Sequence, residues 1–307
     1  MIVALAGGVG GARLTVGLAA VLPPGELTII VNTGDDFEHL GLSISPDLDT
    51  VMYTLAGLNN PVLGWGRVDE TWSFMETLHQ LGGETWFQLG DRDLALHVMR
   101  SAALARGMSL TAVTRMLARQ LGVRHPIVPM SDDPVRTMVL TDKGELPFQD
   151  YFVRRRCEPA VTGFRYDGAH TARGPSALHE LSDRGAIDAV IVCPSNPYVS
   201  IAPMLAVGEI REWLAQRRFP VIGVSPIIGG EAVKGPAAKM MRELALAPSA
   251  PAIAHYYGQH VDAWVIDEHD AAHAASIDAL NKRVTVTDTL MTDRAKSIAL
   301  AETVVRF

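Results

Sequence analysis

Four closely spaced glycines, Gly7, Gly8, Gly10 and Gly11, interrupt an apolar run that begins at Met1 and ends at Ala6. Ala12, Arg13 and Leu14 then open a small-residue pattern that continues to Gly17. Glycine admits positive φ and lets backbone N–H groups come close to an anion, and a helix that follows adds the positive end of its dipole. Strand, tight loop and helix in that order read as the opening of a nucleotide-binding α/β unit, with phosphate as the natural guest. The dinucleotide fingerprint is half met. Gly8 and Gly10 supply its first two glycines, and Arg13 stands where the third belongs. A large cation there argues for a charge-assisted contact to phosphate, and no Gly-Lys-Ser/Thr follows that would make a Walker loop. Taken alone, a glycine turn that binds nothing explains the loop as well.

Carboxylates gather in the next stretch. Asp35 and Asp36 follow Asn32-Thr33-Gly34, and Asp47 and Asp49 lie in Ser45-Pro46-Asp47-Leu48-Asp49-Thr50. Oxygen ligands opposite a phosphate loop suit Mg²⁺, which keeps part of its water shell. One or two of them can instead cap a helix expected to begin near Thr50; Asp47 reads as the cap and Asp49 as the functional group. Further along, Trp65, Trp72 and Trp86 precede the helix start Leu89-Gly90-Asp91-Arg92-Asp93. Aromatics on a helical insert are more often core, yet three in so short a span suit a flat heteroaromatic ligand. Arg154-Arg155-Arg156 is the most basic spot, either a solvated face or a contact to a substrate phosphate. Lys234, between the Gly229-Gly230 turn and Pro236, either reaches a diphosphate or sits on the surface.

Hydrophobic patterning supplies the elements that must carry these groups. β-rich apolar runs recur at Leu27–Val31, Ile187–Val192, Val221–Val224, Ala263–Ile266 and Val284–Val286, mostly separated by helix-like segments. That alternation predicts an α/β fold: a Rossmann-like, mostly parallel sheet with helices on both faces. Ligands of such sheets bind beyond the carboxyl ends of the strands, where this chain places its glycines, Asn32-Thr33-Gly34-Asp35-Asp36, Pro194-Ser195-Asn196-Pro197, Ser225-Pro226 with Gly229-Gly230, and Asp267. Each cluster alone is an ordinary turn; five strand ends in one pattern are less easily explained that way. Residues 59–121 read as a helical insert, with Ser109 the N-cap of a helix to Leu121. A strand is expected over Val123–Val128. Residues 135–174 leave the alternation and read as a small β-rich insertion, with a hairpin turn at Asp142-Lys143-Gly144. The nucleotide-binding core then comprises residues 1–134 and 175–307.

With 307 residues the chain can bury a substantial core, and a net charge of −7 argues against nucleic acid or an anionic membrane as the main partner. Cys157 and Cys193 form no metal-spaced pair, and neither a signal peptide nor a long apolar span is seen. A reduced, cytoplasmic protein is expected.

The ordered set Gly-Gly-x-Gly-x-x-Arg, Asn-Thr-Gly-Asp-Asp, Ser-Pro-Asp-Leu-Asp-Thr, Leu-Gly-Asp-Arg-Asp, Pro-Met-Ser-Asp, Phe-Gln-Asp-Tyr-Phe, Pro-Ser-Asn-Pro, Ser-Pro-Ile-Ile-Gly-Gly and Lys-Gly-Pro-Ala closely resembles the 2-phospho-L-lactate transferase family. The likeness covers nearly the whole chain and ends with Asp288-Thr289-Leu290-Met291. It implies an enzyme of deazaflavin coenzyme (coenzyme F-420) biosynthesis, Mg²⁺-dependent and often homodimeric. Such an enzyme moves a phospholactyl-type group from a guanosine diphosphate-linked donor to the ribityl hydroxyl of 7,8-didemethyl-8-hydroxy-5-deazariboflavin and releases GMP. Carried over, the deazaflavin contacts fall on Asp49, Thr50 and Arg92, and the nucleotide lies against Gly8, Gly10, Gly11, Arg13, Asn32, Ser195, Asn196, Gly229 and Lys234. Asp47 and Asp49 are the metal candidates and Asp49 the catalytic one. The rival from another class is a non-catalytic nucleotide or nucleotide-sugar sensor resembling the gluconeogenesis-factor-like regulators. A plain dehydrogenase ranks third, because Arg13 spoils the fingerprint.

Overall fold

The structure is a computed structural model that describes residues 1–62, 64–183 and 187–307. Seven parallel strands form its central sheet: β1 (Ile2–Ala6), β2 (Leu27–Val31), β3 (Ile127–Pro129), β4 (Ala189–Val192), β5 (Val221–Val224), β6 (Ala263–Asp267) and β7 (Arg283–Thr287). Their spatial order is β7-β6-β5-β4-β1-β2-β3. From β1 the chain winds outward through β2 and β3, then returns to β4 and winds the other way. The reversal leaves a crevice at the carboxyl ends of β1 and β4, the topological switch point at which doubly wound sheets take their ligands.

Strands covered on both faces need apolar residues at successive positions, and every residue of β1 and β2 is buried. Alternate side chains divide between the two faces. Val3, Leu5, Ile30, Val190 and Val192 join the core on one side, and Ile2, Ala4, Ala6, Ile29, Val31 and Ile191 the core on the other. Pairing Ala6 with Val31 and Leu5 with Val192 brings three strand ends level. The glycine loop, Asn32 and Pro194 therefore emerge side by side.

Five helices matter for the site: α1 (Gly8–Val21), α2 (Pro46–Ala56), α3 (Asp91–Ala105), α4 (Leu110–Gln120) and α5 (Arg294–Arg306). α2 begins at Pro46 rather than near Thr50, because proline fits the first helical turn and Asp47 and Asp49 favour its positive end. Gly57 at φ 70° closes it in a left-handed cap. Ser109 caps α4, accepting from the Ala112 N–H, as its sequence signal implies. The expected strand over residues 123–128 is shorter and later, as β3. α1 lies so close to α5 that a Cβ on Gly17 would fall 2.0 Å from the Ser297 carbonyl oxygen.

Residues 135–174 carry a three-stranded antiparallel sheet, with Arg136–Thr141 between Gly144–Pro147 and Val161–Asp167, and one π-helical turn, Asp150–Arg154. In the helical insert, Trp72 packs with Ile44, Met75 and Leu89 in a small separate core. Among the described residues no helix is long and apolar enough to cross a membrane.

Candidate active site

A cavity of about 520 Å³ opens at the carboxyl ends of β1, β4 and β5. Its floor is the glycine loop, and close contacts explain the glycines one by one. Gly8 has φ +60°, a left-handed conformation that disfavours side chains. A Cβ on Gly10 would lie 2.2 Å from the Pro194 carbonyl, and one on Gly11 2.6 Å from Ser195 Oγ. Ser195 Oγ donates to the Gly7 carbonyl at 2.8 Å and accepts the Gly7 N–H at 3.1 Å. The loop after β1 is thereby strapped to the loop after β4.

Asp47 straps it from the other side. Its Oδ1 accepts the Gly8 N–H at 2.8 Å, and its Oδ2 accepts Asn32 Nδ2 at 3.0 Å. Asn32 does not line the cavity. Buried behind it, Asn32 also donates to the Val199 carbonyl at 3.1 Å and accepts the Gly34 N–H at 2.9 Å. Asp47 and Asp35 both line the cavity. Burial pushes Asp47 up to about 6, and burial together with the neighbouring Asp47 charge raises Asp35 well above the carboxylate range. Asp35 Oδ1 has no hydrogen-bond partner. Asp36 is turned away to Ser45 Oγ, 2.7 Å from its Oδ2, and burial pushes it up to about 7.

Asp49 does not join Asp47. Residues two apart on a helix are turned by about 200°, so Asp49 faces α3 instead, where both its oxygens accept from the guanidinium of buried Arg100. Tyr53 Oη donates to Asp93 at 2.6 Å, and His97 lies between Asp93 and Asp49. Asp49, Asp93 and His97 could in principle converge on a cation, but the Arg100 guanidinium already neutralises Asp49 there. The pairing of Asp47 with Asp49 on one ion is thus not met by this geometry. Asp35 and Asp47 meet it better: two carboxylates face the same cavity, burial disfavours their charge, and one oxygen lacks a donor. That donor set suits a hard divalent cation.

The other expected site residues separate into two groups. Gly8, Gly10, Arg13, Thr50, Ser195, Asn196 and Lys234 line the cavity. Arg13 also ties down its rim, donating to the Met291 carbonyl at 2.6 Å, and Lys234 Nζ packs against Gly64. Asn196 caps the turn Pro197–Ile201, accepting from the Tyr198 and Val199 N–H groups. Gly11, Gly229 and Arg92 stand off the wall. Gly11 is packed beneath the loop, the Gly229 N–H donates to Asp270 at 3.1 Å, and Arg92 is exposed at the start of α3. Of the three tryptophans in the insert, only Trp65 lines the cavity, with Phe87, Phe148 and Phe152. Sequence reasoning gave no role to Phe148, Phe152 or Arg100. A signal for Arg100 existed: Asp93, His97 and Arg100 share the face of α3 that buries Leu96 and Ala103.

These features define a doubly wound α/β protein with an open cleft at the switch point of the sheet. The family model described as 2-phospho-L-lactate transferase CofD matches residues 2–304. A phosphoenolpyruvate transferase of Streptomyces griseus is 42% identical over 98% of this chain and 96% of its own length. A 2-phospho-L-lactate transferase of Methanosarcina acetivorans is 41% identical over 98% and 97%. The chain belongs to the CofD family of transferases. A crystal structure of a UPF0052 family protein from Bacillus halodurans shares the fold, with a TM-score of 0.62 and 14% identity over 99% of this chain and 98% of that one.

Proposed function

We propose that the chain transfers a phospholactyl-type group from a guanosine diphosphate-linked donor to the ribityl hydroxyl of 7,8-didemethyl-8-hydroxy-5-deazariboflavin, releasing GMP, in coenzyme F-420 biosynthesis. The observation that carries this reading is the mixed lining of the cavity. Its lining combines the glycine loop, Arg13, Lys234, Asp35 and Asp47 with the aromatic rings of Trp65, Phe87, Phe148 and Phe152. A charged phosphate ester and a flat, largely apolar ring system are unlike guests, and the cavity offers each a suitable wall.

Transfer of this kind asks a protein mainly for in-line positioning and charge neutralisation. Arg13 and Lys234 supply positive charge, and the loop fixed by Ser195 and Asp47 supplies backbone shape. Asp35 and Asp47 would hold Mg²⁺, which when bound neutralises diphosphate charge. The acceptor oxygen bonds to the phosphorus that carries the organic acid, and the bond from that phosphorus to the GMP oxygen breaks. The hydroxyl proton passes to one of the two wall carboxylates, Asp35 or Asp47. Asp49 then acts through its ion pair with Arg100, holding the first turn of α2 so that Asp47 meets Gly8. The donor acid is a three-carbon acid of the kind that the relatives' names carry, phosphoenolpyruvate or 2-phospho-L-lactate.

The test is a titration of the chain with the deazaflavin, followed by its intrinsic fluorescence, with and without GDP and Mg²⁺, then turnover with each donor. Micromolar binding and GMP release support the reading. Nucleotide binding without deazaflavin binding would replace it with the sensor.

A further inference from the structure

Two segments from different parts of the chain bring aromatic rings to the cavity. Phe87 comes from the helical insert, and Phe148, Phe152 and Val153 come from the β-rich insertion, with Phe148 and Phe152 stacked at 5.3 Å and 9°. No strand pairing joins these segments. Arg154 does. It sits at the end of the turn Asp150–Arg154, and its Nη2 donates to Glu84 Oε1 at 3.1 Å across 70 residues of sequence. Its Cζ lies 4.6 Å from the centre of the Trp86 ring. Trp86 packs edge-on against Phe87 at 5.7 Å, and its Nε1 donates to Glu84 Oε2 at 3.3 Å. One guanidinium thus grips both the acid and the aromatic ring that back the Phe87 wall, while Asp150, 3.6 Å from Arg154 Nε, steadies it from its own turn.

Arg154 does not line the cavity. It is 44% exposed and Glu84 65%, and an ion pair that open adds little to stability. Its placement has a different consequence: Phe152 and Val153 immediately precede it, and Phe87 immediately follows Trp86. Fixing Arg154 over Trp86 therefore ties together the two segments that carry Phe87 and Phe152 to the cavity.

We propose that Arg154 is a positioning residue for the acceptor, a latch that sets the gap for a flat fused-ring ligand without touching it. The proposal rests on the acceptor reading given above. Steady-state kinetics at saturating donor test it with R154A, R154K and E84Q. In R154A the acceptor KM rises by up to about tenfold, the ratio one exposed ion pair and one cation–π contact carry together, with kcat and donor KM kept. R154K, which holds the charge but not the plane, and E84Q, which holds the plane but not the ion pair, fall between. An R154A acceptor KM equal to wild type overturns the latch alone, as does a loss confined to kcat. No turnover of the deazaflavin by the wild-type chain overturns the acceptor reading and this proposal with it.

Discussion

Asp47 and Asp49 are chemically identical and two residues apart, yet they face different problems. Asp47 looks into the cavity and holds Gly8, whereas Asp49 is sealed against Arg100. Removing one partner of a buried pair leaves an uncompensated charge, so Arg100→Ala is expected to destabilise by about 3–5 kcal/mol. Arg92→Ala, exposed on the same helix, is expected to change stability by no more than about 0.5 kcal/mol. Urea unfolding of both variants checks the contrast; equal effects would show that Asp49 does not depend on Arg100. Asp47→Asn keeps an acceptor for the Gly8 N–H but sets its own amide NH2 against that of Asn32, so a loss of about 1–3 kcal/mol of stability is expected, and turnover of the still-folded variant, measured well below its Tm, is expected to fall by about 10²-fold or more. Wild-type turnover in the folded variant would make Asp47 a purely structural strap. Motif order drew attention to this stretch, but the sequence shows two acids in one first turn without saying which face each takes. The direction of the turn, and with it the distinct roles, comes from where Pro46 starts α2 and where Arg100 waits on α3.

The elements themselves were largely legible. β1 and β2 announce themselves as unbroken apolar runs, and the turn residues after the strands mark the end of the sheet where the cavity opens. What remained hidden were contacts between elements distant in sequence, such as α1 against α5. Gly17 reads as one more small residue in a helix, where alanine would ordinarily be better by about 1 kcal/mol. In the fold a methyl there would meet the Ser297 carbonyl, a backbone atom that cannot swing aside. Overpacking of that kind costs about 1–3 kcal/mol, so Gly17→Ala is expected to be net destabilising by about 1 kcal/mol despite its propensity gain, with a lower Tm in calorimetry. A raised Tm would mean that α5 can slide away from α1. The aromatic wall escaped detection for the same reason: Phe87 and Phe148 lie far apart in sequence and meet only because the two inserts fold over one crevice.

At the scale of the molecule, the crevice and the layer packed behind it concentrate acids that the fold would rather keep neutral. Asp36 is held at about 7 and Asp47 at about 6, burial being the first cause of each, against an ordinary Asp value near 3.8. A carboxyl raised on folding stabilises the native state fully below its unfolded value, and that contribution is lost as pH climbs through the folded value, because the native state then holds more protons than the unfolded one. Between pH 6 and pH 8 Asp36 goes from mostly protonated to mostly ionised while its unfolded counterpart stays ionised throughout. At 1.36 kcal/mol per unit, the metal-free chain should lose about 1 kcal/mol of stability over that interval, with Asp47 adding to the loss at its lower end. Thermal unfolding of the metal-free chain should therefore show Tm falling from pH 6 to pH 8. In Asp36→Asn, which keeps a partner for Ser45 and has no proton to lose, the fall should be clearly shallower. A Tm that rises over this interval, or a slope that Asp36→Asn leaves unchanged, would show that Asp36 is ionised in the fold. The Arg136 and Arg100 charges that already lower it would then outweigh its burial.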